Sequence, residues 1–219
     1  DTLSLHDALP ISNVWPTNCS KLLKAAAATL IAVDALWETN LGLAKLTEIA
    51  ATLGADVPFA LHGGTAIGVD RGDDLTAIPD SAAFHWALVF AREGLSTPEV
   101  FHELDRQRES TSIKAHDVPS PTIDGELAKT LRTGNPYDLA RYLRNDLQPA
   151  AVALRPDLLD VLEQVVDLGG IAGVVSGSGP TLAILADSAD TATSIAASFA
   201  RTGLTALAVV SAAPGARIR

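Results

Sequence analysis

Four short apolar segments from residue 84 onward do most to limit what the chain can fold into. Phe84–Ala91 (FHWALVFA) reads as a strong strand, and Gly173–Ser176, Thr181–Ala186 and Leu204–Val210 read as three more. Helices are predicted at Pro98–Arg108, which opens at proline, and at Gly125–Arg132, Pro136–Arg144, Pro156–Leu168 and Ala189–Arg201. The order is strand, helices, strand, strand, helix, strand. That is a ferredoxin-like βαββαβ arrangement with extra helices in its first crossover, so residues 83–219 are expected to form one α+β domain.

The first half has a different texture. Leu22–Trp37 is alanine-rich, with Leu23, Leu30, Val33, Leu36 and Trp37 at helical spacing, and predicts a buried helix. Leu43–Leu53 repeats the pattern, with Leu43, Leu46, Ile49, Ala50 and Leu53 on one face and Gly54 as its stop. Val57–Leu61 is a short apolar run, taken as a strand. His62-Gly63-Gly64 follows as a turn, and Thr65–Val69 and Leu75–Ile78 predict a hairpin across the polar turn Asp70–Asp74. Glu109–Pro121 is polar and carries two prolines, which predicts an exposed loop.

Bulk properties exclude several functions. A net charge of −10 lacks the basic footprint that nucleic-acid binding needs. Acidity does not prevent nucleotide binding, since backbone N–H groups and Mg²⁺ can hold phosphates. A single cysteine, Cys19, allows no internal disulfide and no cysteine-based zinc site. Apolar runs such as Ala25–Ala28 and Leu30–Val33 are interrupted by Thr29 and Asp34, far short of the ~20 residues a bilayer requires. A soluble cytoplasmic protein is expected. Asp1–Ser12 (DTLSLHDALPIS) lacks the features of a signal peptide and resembles a translated sequencing adapter. It is set aside from the fold, and His6 and Asp7 carry no functional weight.

Candidate chemistry sits at a few places. In Gly54-Ala55-Asp56-Val57-Pro58 a carboxylate lies just past a helix end and just before a strand. There it suits a base that takes a proton from a hydroxyl during phosphoryl transfer, or a turn aspartate bonded to local amides. Gly177, Ser178 and Gly179 form a glycine-rich loop that suits close backbone approach to a ligand, or simply a hairpin turn. His62-Gly63-Gly64-Thr65 reads as a turn, with a small anion nest as the alternative. Arg71-Gly72-Asp73-Asp74 reads as an exposed turn, with a metal role as the alternative. Histidines 6, 62, 85, 102 and 116 share no metal-ligand spacing. No metal site is assigned. Ser178 stands in SGSGP and not in the GxSxG of a hydrolase elbow, which argues against a hydrolase.

Four segments taken in order resemble one family. They are AVDALW…LTEIAATLGADVPFALHGGTAIGVDRGDDL (Ala32–Leu75), GLSTPEVFHELD (Gly94–Asp105), NPYDLARYLRNDLQP (Asn135–Pro149) and GVVSGSGPTLAIL (Gly173–Leu185). Together they are similar to the bacterial 4-diphosphocytidyl-2-C-methylerythritol kinases of the GHMP superfamily, over residues ~25–215. The resemblance implies a two-domain GHMP kinase fold: a truncated N-terminal domain at 25–82 and a ferredoxin-like C-terminal domain at 83–219. It implies ATP as phosphoryl donor with Mg²⁺, a cytidine-diphosphate sugar alcohol as the small-molecule acceptor, and a place in non-mevalonate isoprenoid synthesis. Asp56 matches the family's catalytic base, Gly177, Ser178 and Gly179 match its phosphate-site glycine loop, and Phe101 falls where an aromatic stacks on the cytosine ring.

The family's upstream motifs, a lysine facing the base and a glycine-rich ATP loop, have no match in this sequence. Asn13–Lys24 (NVWPTNCSKLLK) stands where the ATP loop belongs, and no glycine precedes Gly42. Residues 1–24 are therefore expected to be foreign or frame-shifted. The helices after them are expected to expose apolar faces, and the chain as written to be inactive or nearly so. Two alternatives stay open: another GHMP kinase of homoserine or mevalonate type, and a non-catalytic ferredoxin-like binding module.

Overall fold

A computed structural model describes residues 18–69, 72–110 and 125–218. Expectations for the adapter-like start, for residues 13–17, for turn residues 70–71 and for most of the 109–121 loop fall outside the described residues. The described chain divides into two compact units, one of residues 82–210 and one of 18–81 together with 211–218.

In the unit of residues 82–210, strands β3 (His85–Phe90), β4 (Ala172–Val175), β5 (Thr181–Ala186) and β6 (Thr205–Val210) form a sheet of order β4-β5-β3-β6. Every neighbouring pair is antiparallel. In chain order this is 2-3-1-4, the ferredoxin-like topology that the strand pattern implies. Among the described residues, five helices fill the first crossover: α4 (Thr97–Ser110), α5 (Gly125–Thr133), α6 (Pro136–Ala140), α7 (Gln148–Leu154) and α8 (Asp157–Glu163). Helix α9 (Ala189–Arg201) makes the second crossover, its first turn capped by the Ser188 hydroxyl accepting from Thr191 N at 3.1 Å.

Alternation along the strands sets the core. Ala87 and Val89 of β3 face the same side as Leu182, Ile184 and Ala186 of β5. Onto them pack Val100 and Leu104 of α4, Ala150 and Ala151 of α7, Leu158 and Val161 of α8, and Ile195 and Phe199 of α9. Trp86, Leu88, Ala183 and Leu185, on the opposite face, are buried as well. A strand buried on both faces reads as a continuous apolar run, which is why β3 and β5 are plain in the sequence.

Several boundaries differ from expectation. Helix α6 ends at Ala140 and not at 144, and α8 ends at Glu163, followed by turns through Gly169. Helix α7 is absent from the sequence reading. It begins with Pro149 in its first turn, where the missing N–H costs nothing, and buries two alanines that give little periodic signal.

The other unit holds α1 (Asn18–Leu36), α2 (Gly42–Leu53), α3 (Val57–His62) and the hairpin β1 (Ala66–Val69) and β2 (Asp74–Ala77). The Asp34 carboxylate accepts from Leu41 N at 3.0 Å and Thr39 Oγ1 at 2.6 Å, bracing the turn between α1 and α2. These bonds, that to Leu41 foremost, hold its pKa below the usual carboxylate value. The cluster joining the three helices is small: Ala27, Leu46, Ala50, Val57, Ala60 and Leu61. Leu36, and Trp37 just beyond α1, are 77% and 71% exposed, which corrects the reading of a wholly buried helix and agrees with the expectation of exposed apolar faces. Leu43 and Leu53 of α2 are exposed too, so the apolar stripe of each helix is only partly covered within the unit.

Residues 211–218 belong to this unit. Gly64 N donates to Ala213 O at 2.8 Å, Ala216 N donates to Ala60 O at 3.0 Å, and Gly63 bridges Pro214.

Candidate active site

β4 and β5 run antiparallel with Val175 opposite Leu182, and Ser176 N extends the ladder by donating to Thr181 O at 2.8 Å. The chain must therefore reverse within Gly177–Pro180. It does so with φ of 57° at Gly177 and 80° at Gly179, the left-handed region that costs an L side chain ~1–2 kcal/mol per residue. Gly179 N closes the turn on Ser176 O at 2.9 Å, and the Gly179–Pro180 bond is cis. Among the described residues, no acceptor takes the amides of Gly177 or Ser178. Two adjacent uncommitted N–H groups on a glycine turn are a ready anion cradle.

Side chains hold this loop from two directions. The Ser178 hydroxyl lies 2.8 Å from that of Thr97, the first residue of α4. Phe101 stands one turn further along, and residues four apart share a helix face. Phe101 is 43% exposed, while Val100 and Leu104 supply the buried face of α4. Its ring is therefore left outside the core and open to a planar ligand. Structure thus brings together two features the sequence singled out separately, the glycine loop and the aromatic, through a threonine it did not single out.

Asn145 supports the loop from below. It is 7% exposed, and its amide donates to Val175 O and to Gly177 O, each at 2.7 Å. Its own oxygen accepts from Leu147 N at 2.9 Å, and Gln148 Oε1 accepts from Val175 N at 2.9 Å. Neither Asn145 nor Gln148 was marked by sequence reasoning. The only signal is a polar pause, Arg144-Asn145-Asp146, ahead of apolar Leu147, and a surface loop looks the same.

Asp56, in the other unit, is corrected in one respect: it precedes helix α3 and not a strand. Pro58 in the first turn favours helix there, and a five-residue apolar run has no period that distinguishes the two. Asp56 occupies the N-cap position with φ −87° and ψ −9°. Side-chain capping needs an extended backbone, and its carboxylate makes no capping bond. It is exposed, and among the described residues its carboxylate accepts no hydrogen bond. The local turn-aspartate role is thus not taken up.

The His62-Gly63-Gly64 amides are consumed internally, Gly63 N by Phe59 O and Gly64 N by Ala213 O, both at 2.8 Å. That answers the anion-nest alternative in favour of a turn. Among the described residues no three His, Cys, Asp or Glu side chains gather as a metal cage. Glu103 on α4 has its pKa held at about 2, chiefly by the hydrogen bond from Arg106 and then by that from Gln107. It is an ionised partner in a surface pair and not a proton carrier. Clefts of about 330 Å³ between α8 and α9 and about 230 Å³ between α5 and α6 do not border Gly177–Gly179. No described helix is long and apolar enough to cross a membrane.

The family description "GHMP kinases C terminal" matches residues 127–204. The 4-diphosphocytidyl-2-C-methyl-D-erythritol kinase of Pseudarthrobacter chlorophenolicus is 50% identical over 194 residues, covering 88% of this chain and 60% of that protein. The protein of the same name from Nocardia farcinica is 49% identical over 197 residues, 88% of this chain and 62% of its own length. The crystal structure of a 4-(cytidine 5'-diphospho)-2C-methyl-D-erythritol kinase superposes with a TM-score of 0.67 at 27% identity, over 85% of this chain and 63% of that one. The chain spans about three fifths of the length of these curated relatives.

Proposed function

We propose that the chain belongs to the GHMP kinase family and serves ATP-dependent phosphorylation of a hydroxyl of 4-diphosphocytidyl-2-C-methyl-D-erythritol, a cytoplasmic step of non-mevalonate isoprenoid synthesis. The observation that carries the reading is the Gly177–Gly179 turn, with two uncommitted amides joined through Ser178 and Thr97 to the helix that presents Phe101. A phosphate oxygen suits the amides and a cytosine ring suits the aromatic face.

In this reading Asp56 accepts the proton of the acceptor hydroxyl as that oxygen bonds to the γ-phosphorus and ADP departs. Its uncapped, exposed carboxylate has no competing local bond. The described residues offer no protein cage for a divalent cation, so Mg²⁺ fits best as an ion that arrives on the nucleotide, held by phosphate and water. Magnesium there would offset phosphate charge. Orientation and proton acceptance are left to the side chains named above.

The 219-residue chain assayed alone is expected to show no kinase-like turnover. No glycine precedes Gly42, and a loop that wraps ATP phosphates needs unhindered amides. A thermal-shift titration tests the reading. The diphosphocytidyl alcohol should stabilise the chain, ATP should not, and Phe101→Ala should abolish the first effect without lowering the ligand-free Tm. Indifference to both ligands would favour a non-catalytic module. Turnover at ordinary kinase rates would refute the expected inactivity.

A further inference from the structure

Peptide planarity lets the orientation of the phosphate-loop amides be traced to one buried side chain. In a trans peptide the C=O of one residue and the N–H of the next point in opposite directions. Ser176 C=O is taken by Gly179 N, so the Gly177 N–H of that same peptide is turned away from the inside of the turn. Gly177 C=O is taken by the Asn145 amide, so the Ser178 N–H is turned away from Asn145, which means away from the protein interior. Among the described residues, these two loop amides have no acceptor.

Glycine makes the clamp necessary. With φ of 57° and no side chain, Gly177 resists rotation of its following peptide only weakly. A flip would aim the carbonyl, a negative dipole end, at any bound anion. Asn145 opposes that flip with a 2.7 Å bond, and it is itself fixed by a second donor bond to Val175 O and by the Leu147 amide. Both amide protons of this nearly fully buried side chain go to a segment about thirty residues away, while its oxygen accepts from Leu147 N two residues on.

We propose that Asn145 is a positioning residue for phosphate binding: by holding Gly177 C=O inward it keeps Ser178 N–H aimed at a phosphate oxygen. The proposal rests on the phosphate-loop reading above.

The test is a titration of the ¹⁵N-labelled full chain with inorganic pyrophosphate, following the Gly177 and Ser178 amides. In the wild-type chain both should shift saturably. Asn145→Asp keeps size and the acceptor for Leu147 N but loses both donors. It should weaken pyrophosphate binding by roughly tenfold to a hundredfold, the span expected when a hydrogen bond to a charged group is misdirected. Asn145→Ser, which retains one donor, should fall between the two, and it serves if the aspartate variant fails to fold. Ser188→Ala, a loss of stability remote from the loop, should bind as wild type does.

Binding within twofold of wild type by a folded Asn145 variant would overturn the proposal and leave the phosphate-loop reading standing. If the wild-type Gly177 and Ser178 amides do not respond at all, both are overturned.

Discussion

Gly179→Ala is the substitution on which the loop geometry can be judged most sharply. Gly179 has φ of +80°, and a Cβ built there lies 3.1 Å from Val175 Cγ1. Leu95 Cδ2 at 3.6 Å and Ala151 Cβ at 3.9 Å are ordinary contacts. The backbone term alone is ~1–2 kcal/mol. Val175 is 1% exposed and paired to β5, so it can yield only a few tenths of an ångström, which adds to the loss. Alanine also restricts the unfolded chain, which offsets about 0.4–1 kcal/mol, so a net destabilisation of about 1–2 kcal/mol is expected, moving a urea midpoint by roughly 0.5–1 M at ordinary m-values. Trp86 is fully buried in the sheet and reports this unit, provided Trp15 and exposed Trp37 are both replaced by phenylalanine to remove their signal. Gly94→Ala is the matched control, since a Cβ there meets nothing within 4 Å and its φ is not in the left-handed range. If Gly179→Ala is as stable as Gly94→Ala, the turn is not held at positive φ, and the account of the outward amides fails with it.

Three further outcomes follow from the packing. Phe199→Ala removes a ring 1% exposed that α9 sets against β3 and β5, and should cost about 3–5 kcal/mol in chemical denaturation. Ser188→Ala removes the cap of α9 and should cost ~1 kcal/mol, with no change at the glycine loop. Glu103 has its pKa lowered from 4.5 to about 2, so its pairing supports the fold fully above pH 4.5, and that support is lost as pH falls through about 2. Acid unfolding of Glu103→Gln, followed by circular dichroism, should lack that component; an acid limb identical to wild type would show the pairing contributes nothing.

How much of this was legible in the sequence depends on how local each cause is. β3 and β5 announce themselves because both faces are buried and every residue but His85 is apolar or small. α3 did not, because Val57–Leu61 is too short for a period to emerge, and only Pro58 in its first turn speaks for helix. The glycines of the loop were visible by composition, since positive φ nearly demands them. Asp56 was visible mainly by resemblance, and its uncapped geometry is a property of backbone angles that no residue type encodes. Asn145 was invisible for a stronger reason. Its partners are the carbonyls of Val175 and Gly177, and a carbonyl is present at every position, so nothing in either segment marks the pair.

The same logic explains the C-terminal tail. The domain expected at 83–219 takes in Ala212–Ile218, and no sequence pattern assigns that tail elsewhere. In the fold it returns to α3, where a Cβ on Gly63 would sit 2.0 Å from Gly215 N, and one on Gly215 would sit 2.0 Å from Leu61 O. Gly215 is required because the other backbone is there, and Gly63 for that reason and for its φ of +64°, so the pairing is not legible from either alone. Residues 82–210 are consequently inserted between two pieces of the other unit. Such an insertion needs its ends close together, and they are: His85 opens β3 directly opposite Val210, which closes β6. The strand order that the apolar segments imply is thus also what brings the two ends of residues 82–210 together.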